Sequence, residues 1–356
     1  MKNNNFHETI ELIRAGEEDT FKVKEAQIEK DYQAKFDNQS SISIKILTIF
    51  GGLIATLCFA GFIAIAGFYE NKLGMLILGG ILVGSSIGLN MSRHSFFIGT
   101  LSVSAYLLGL LMMGFGLGSM DNDPLFIKLI FLVISILTLF LVSNYVLTFI
   151  TTALFFGAIT SILIEGSNSF VISYVIAGLG FIYTCWLLLE AKLITLHPKI
   201  AGKYDAIRDA LLFCLLTGMV FLSLGNVFYW NLGSYYFTSA IFLVCLLYVV
   251  RLILKKLEIS DVKSQGFIYF FSLLFFILLL PAPAILASLL ILLLGFYYNF
   301  RASAALGIIG LIYFFSKFYY DLSMTLLYKS LIMMAAGLLF IGFYLLAKKY
   351  LYHEKI

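Results

Sequence analysis

The chain has 356 residues, of which 61% are hydrophobic and only 12% charged, with a mean hydropathy of +0.98. A soluble domain carries charge on about a quarter of its residues, so this composition belongs in lipid. The formal charge of +4 points to no nucleic-acid partner, because the basic residues punctuate hydrophobic runs and do not cluster in a soluble domain.

The apolar residues come as long uninterrupted stretches, without the alternation that a membrane β-barrel needs. In hydrocarbon every backbone N–H and C=O has to be satisfied within its own segment, which leaves helices. The expected fold is all-α, a polytopic transmembrane helix bundle. About 20 residues cross the hydrocarbon core, and the stretches between charged residues then count out about twelve spans.

In chain order, residues 1–45 are polar and read as a cytoplasmic amphipathic helical hairpin. Phe6, Ile10 and Ile13 mark its first helix, Val23, Ile28, Tyr32 and Phe36 its second, with Gly16 and Glu17-Glu18-Asp19 between them. The apolar segment after Lys45 is too long for a cleaved signal core and is read as a retained span. A first six-helix membrane half covers 46–190. Single passes fit from Lys45 to Glu70, Lys72 to Arg93, Arg93 to Asp121 and Glu165 to Glu190.

Three gaps, Lys128 to Glu165, Asp209 to Arg251 and Lys263 to Arg301, each hold 35 or more uncharged residues, so each has to fold back. Their turns are expected at Ser143-Asn144-Tyr145, at Tyr229 to Ser234 and at Pro281-Ala282-Pro283. Proline lacks a backbone donor and disfavours helix at the residue before it, which makes the last of these a firm helix end. A cytoplasmic loop at 191–209, containing His197-Pro198, separates the first half from a second six-helix half at 210–348. A short tail, 349–356, follows. The six-plus-six arrangement suggests a duplicated architecture, although no residue-level repeat carries it. Of the last two passes, Tyr328 to Leu346 is long enough. Ser303 to Phe318 is short, with fifteen residues between Arg301 and Lys317. Either those cations snorkel or the segment is re-entrant.

Charge then orients the chain. With the amino terminus inside, twenty of the 24 Lys and Arg residues fall on the cytoplasmic side, and only Lys72, Lys128, Lys317 and Lys329 fall opposite. That is the positive-inside distribution, and it predicts both termini in the cytoplasm.

Within the spans, Gly80, Gly84 and Gly88 recur every four residues, a spacing that predicts a helix-packing face. Asn90, Asn144, Asn226 and Asn299 read as interhelical or turn amides rather than a polar pathway. No ionisable residue falls at the midplane of a span, which argues against a proton-coupled transporter or an intramembrane protease. Arg93-His94 reads as an interfacial anchor. Cys58, Cys185, Cys214 and Cys245 lie in apolar stretches and show no metal-ligand spacing, so neither a metal nor a cofactor is expected.

The densest polar segment runs from Lys317 to Ser330. Lys317, Asp321, Thr325 and Lys329 follow at four-residue intervals, and Tyr320 and Ser330 lie beside them. Such a strip could hold an anionic or zwitterionic ligand on the outward side. The plainer alternative is an interfacial hairpin of belt tyrosines and capping lysines.

Tyr319-Tyr320-Asp321-Leu322-Ser323-Met324-Thr325-Leu326-Leu327-Tyr328-Lys329-Ser330, followed by Gly337 and Gly342, resembles the YYxLxxTLLxKS stretch of a bacterial membrane family catalogued as domain of unknown function 4401. The resemblance implies residence in the bacterial inner membrane and an envelope context, with another envelope membrane protein as a candidate partner. It brings no activity, ligand or catalytic residue.

Three functions are weighed. The first is binding or transport of a small molecule or lipid, with the Asp321 cluster at the entrance. The second is a non-catalytic assembly with another envelope membrane protein, through the glycine face and the amino-terminal hairpin. The third is an intramembrane transferase acting on a lipid-linked substrate, for which Asp321 and Glu165 are the acids available. No nucleotide-binding loop or nucleophile motif stands in a usable setting, so an enzyme is the weaker reading.

Overall fold

A computed structural model describes residues 71–92, 96–120, 123–164, 170–196, 198–224, 235–258 and 261–321, with scattered positions at 51–67 and 327–341. The hairpin at 1–45, Arg93-His94, Glu165, the turn from Tyr229 to Ser234, Thr325, Lys329 and the tail lie outside them. So do most of the first and last expected spans. The scattered positions from Gly51 to Ile65 and from Leu327 to Ile341 are helical.

Every described element is a helix. They are α1 (Lys72–Ser92), α2 (Phe96–Gly118), α3 (Pro124–Leu141), α4 (Tyr145–Ile164), α5 (Phe170–Leu188), α6 (Glu190–Leu196) and α7 (Pro198–Ala201). They continue as α8 (Tyr204–Ser223), α9 (Tyr235–Lys256), α10 (Val262–Leu278), α11 (Pro283–Tyr297) and α12 (Arg301–Asp321). Among the described residues eight of these are long and apolar enough to cross a membrane, and α10 and α11 are shorter apolar helices. This is a multi-pass membrane protein.

Local chemistry explains the breaks. Asp123 caps α3, accepting from Leu125 N–H at 3.1 Å with Pro124 in the first turn. The Asn144 carboxamide accepts from Val146 N–H at 2.9 Å and starts α4, so the expected turn at 143–145 is present and its amide is a helix cap. Between α10 and α11 the chain turns at 279–282, where Pro283 opens α11 as the sequence requires. Asn299 turns α11 into α12 with φ 59°, a left-handed conformation that asparagine tolerates well.

Two helix boundaries differ from those expected. The segment from Arg301 runs unbroken to Asp321, so Lys317 sits inside the helix and not at its end. Its segment Arg301–Tyr320, 20 residues, is long and apolar enough to cross a membrane. The loop placed at 191–209 is largely helical, formed by α6 and α7, and Tyr204 to Asp209 already belong to α8.

The chain divides into two compact units, Met1–Met113 and Gly114–Ile356. In the first, α1 lies against the early part of α2 through Met75, Leu108 and Met112. The backbones touch where Gly79 meets Gly109, since a Cβ on either would stand 2.8 Å from the other's carbonyl oxygen. Ser86 and Ser102 donate to each other's carbonyls at 2.7 and 2.8 Å. A Cβ on Gly80, Gly84 or Gly88 would meet nothing within 4 Å, so the tight contact sits one residue away from the predicted stripe.

In the second unit α11 is central, buried along most of its length. Tyr183, Leu187, Leu215, Met219, Phe242 and Leu246 of α5, α8 and α9 complete the core around it. The α11–α12 seam is the closest in the unit. A Cβ on Gly295 would lie 2.6 Å from Ala304 N, one on Gly307 2.7 Å from Leu292 N, and one on Gly310 2.8 Å from Ser288 Oγ. Buried hydroxyls add bonds between helices, Thr238 to the Ser173 carbonyl at 2.9 Å and Tyr183 with Ser303 at 3.2 Å.

Candidate functional site

The outward strip read from the sequence is only partly placed. Lys317 and Tyr320 occupy the last turns of α12, with Tyr320 78% exposed, and Asp321 closes the helix. Ser330 donates to the Leu327 carbonyl at 2.9 Å, a local helical bond. Thr325 and Lys329 lie outside the described residues, so no ligand geometry can be assembled there.

Polar side chains converge instead at the opposite end of the second unit, where α3, α5, α9 and α11 finish and α4, α8, α10 and α12 begin. Arg208, one turn into α8, holds Asp205 and Asp209 at 2.8 Å each. The Tyr145 hydroxyl, at the start of α4, donates to Asp209 at 2.6 Å. The Arg208 guanidinium also lies 4.0 Å from the centre of the Phe300 ring, a cation–π contact. Nearby, Lys203 is buried and donates to the Leu139 and Phe140 carbonyls, the exposed acceptors at the end of α3. Trp186 stacks on Tyr204 at 5.6 Å, and the Tyr204 hydroxyl donates to the Trp186 carbonyl. Glu190, at the start of α6, has its carboxyl pushed above the usual range by burial, with Arg208 pulling it down and Asp205 pushing it up.

Two carboxylates and an aromatic face compensate the one arginine. From Phe300 an aromatic path continues to Tyr298, stacked at 6.1 Å, and then to Tyr297 at 4.9 Å. The path ends at Lys256, whose ammonium donates to the Tyr297 carbonyl at 2.8 Å.

Beside Lys256, α9 and α10 diverge and leave an open cleft of about 830 Å³. Tyr248, Arg251, Leu252, Leu254 and Lys255 of α9 line it, with Glu258 just past the end of that helix and Gln265 and Tyr269 of α10. Arg251 and Lys255 are exposed and make no hydrogen bond or ion pair among the described residues, unlike Lys203, Arg208 and Lys256 around them. From Tyr248 to Glu258 the cleft follows α9 for about 15 Å. Its charged and amide groups cluster toward the helix ends, while the tyrosines lie deeper.

The model of a family described as Domain of unknown function (DUF4401) matches residues 42–350. The chain belongs to that family. The match takes in every described helix and extends far beyond the short carboxy-terminal stretch that carried the resemblance. No curated protein and no solved structure gives a significant match.

Sequence reasoning treated the residues of this DUF4401 rim as positive-inside anchors and missed their arrangement. Two signals were available. Asp205-Ala-Ile-Arg208-Asp209 puts two acids within reach of one arginine on a single helical turn. Tyr248, Arg251, Lys255 and Glu258 recur at spacings of three, four and three, which is one face of a helix.

Proposed function

We propose that this family member spans the bacterial inner membrane about twelve times with both ends cytoplasmic, and that it binds or moves a small amphiphilic molecule or lipid through the α9–α10 cleft. The cleft carries the reading: an open cavity lined by two cations with no partner among the described residues, on a rim where Lys203, Arg208 and Lys256 are engaged. The direction is supported by charge. The rim bears Lys203, Arg208, Arg251, Lys255, Lys256 and Arg301, whereas Lys128 and Lys317 lie toward the far ends of α3 and α12. Under this topology the cleft opens toward the cytoplasmic leaflet, and the ligand site moves from the Asp321 strip to the inner face.

Reporter fusions at Gly118, Leu196, Leu232 and Ser323 test the threading; activity of the Leu196 fusion on the periplasmic side removes it. For the cleft, Leu252→Cys in a chain freed of its native cysteines should react with an impermeant maleimide from the cytoplasmic side only. Added lipid should protect it. Labelling at the same rate with and without lipid rules the cleft out as a binding site.

A second reading, assembly with another envelope membrane protein, is favoured by one observation: Gly80, Gly84 and Gly88 are exposed on α1 with open space before them. Affinity capture in mild detergent tests it, and recovery of the chain alone counts against it.

A further inference from the structure

We infer that the α9–α10 cleft is a receptor for the phosphate of an anionic phospholipid headgroup, an inference that rests on the amphiphile reading above. Arg251 and Lys255 stand one helical turn apart on the same face of α9, and neither is neutralised by a partner among the described residues. An arginine offers a planar fork and a lysine a compact point charge, and together they match a phosphodiester oxygen pair. Glu258 is the one acid of the lining, so the mouth carries one more cation than acid and favours a singly charged anion.

Farther from the helix ends, Tyr248 and Tyr269 replace charge with aromatic surface, and Leu252 and Leu254 add aliphatic surface beside the cations. This gradient selects a lipid over free phosphate: an anion held at the mouth places an attached acyl chain along the deeper wall, where a soluble ion has nothing to contact. Juxtamembrane cations at an anionic leaflet are a recognised source of such preference.

The test is native mass spectrometry of the full chain released from mixed micelles holding equal phosphatidylglycerol and phosphatidylcholine. The wild type should retain phosphatidylglycerol with about tenfold preference or more. Arg251→Gln with Lys255→Gln should bring that preference close to one, while Lys192→Gln, a cation on α6 away from the cleft, should leave it intact. Leu252→Trp, which fills the cavity, should reduce retention of both lipids. Helical circular dichroism confirms that each variant is folded.

Equal retention of both lipids by the wild type, still lost in Leu252→Trp, overturns the headgroup inference and leaves the amphiphile reading standing. Retention of neither lipid overturns both. Displacement of phosphatidylglycerol by excess inorganic phosphate overturns the lipid assignment in favour of a soluble anion.

Discussion

Tyr145 donates its hydroxyl proton to Asp209 across 2.6 Å, joining the start of α4 to the start of α8 over 64 residues of sequence. The same Asp209 carboxylate receives Arg208 at 2.8 Å, so one acid links two helices and a cation. Arg208 is 12% exposed while Asp205 is 69% exposed, which makes the Asp209 side of the network the drier one. Stability here depends on the whole set being present, because a carboxylate left at this depth without its cation loses much of its compensation.

Tyr145→Phe should therefore lower stability in detergent by about 1 kcal/mol, the net worth of one hydrogen bond. Arg208→Met should cost about 2 kcal/mol, below the cost for a fully buried pair because water still reaches Asp205. In the double variant the two losses should fall short of additive, since Tyr145 and Arg208 share Asp209. Thermal unfolding of the four proteins measures this, and strict additivity would show that the two contacts are independent.

Lys203→Met keeps most of the aliphatic stem and removes the ammonium from the end of α3. The Leu139 and Phe140 carbonyls then lose their donor, at an expected cost of about 1–2 kcal/mol. Hydrogen exchange should report the change locally, as faster exchange over the last turn of α3 than over α5. Unchanged protection there contradicts the capping role.

Gly79→Ala places a Cβ 2.8 Å from the Gly109 carbonyl oxygen and from Met113 Cγ, and the two backbones have to separate. A loss of about 1–3 kcal/mol is expected, typical of overpacking. Gly80→Ala and Gly84→Ala meet open space and should be neutral or slightly stabilising in a monomer. Thermal melts of the three variants separate the contact face from the open stripe.

Asp261 caps α10, accepting from both the backbone N–H and the hydroxyl of Ser264 at 2.9 Å, and these bonds hold its carboxyl below the usual range. A depressed folded-state value means that the stabilisation is complete above the unfolded carboxylate's titration and is lost as pH falls through the folded one. Asp261→Asn keeps an acceptor but cannot titrate. Its melting temperature should drop less than that of the wild type on acidification, and parallel acid limbs would exclude Asp261 as a contributor.

How far the sequence reached depended on whether the deciding force was local. Pro283 ends one helix and starts another wherever it stands, so the α10–α11 break was readable, as was the Asn144 turn. The length of α12 was not, because Lys317 was taken as a boundary. A lysine can lie within a helix and send its ammonium toward an interface along a flexible stem. In α1 small residues occupy positions 79, 80, 84, 85, 86 and 88, enough for two faces, and only the partner helix decides between them. The Arg208 network and the α9–α10 cleft escaped for the same reason. Each is made by elements far apart in the chain, and charge counts assign residues to a side of the membrane without saying which of them meet.

The α11–α12 seam has a mechanical consequence. Backbone rests on backbone at Gly295 and Gly307, with no long side chain between to bend or re-pack, so these two helices can neither slide nor splay and behave as one stiff spar. Across the cleft, α10 has a single buried residue, Phe276. Of the two walls of the cleft, α10 is therefore the one held by less packing.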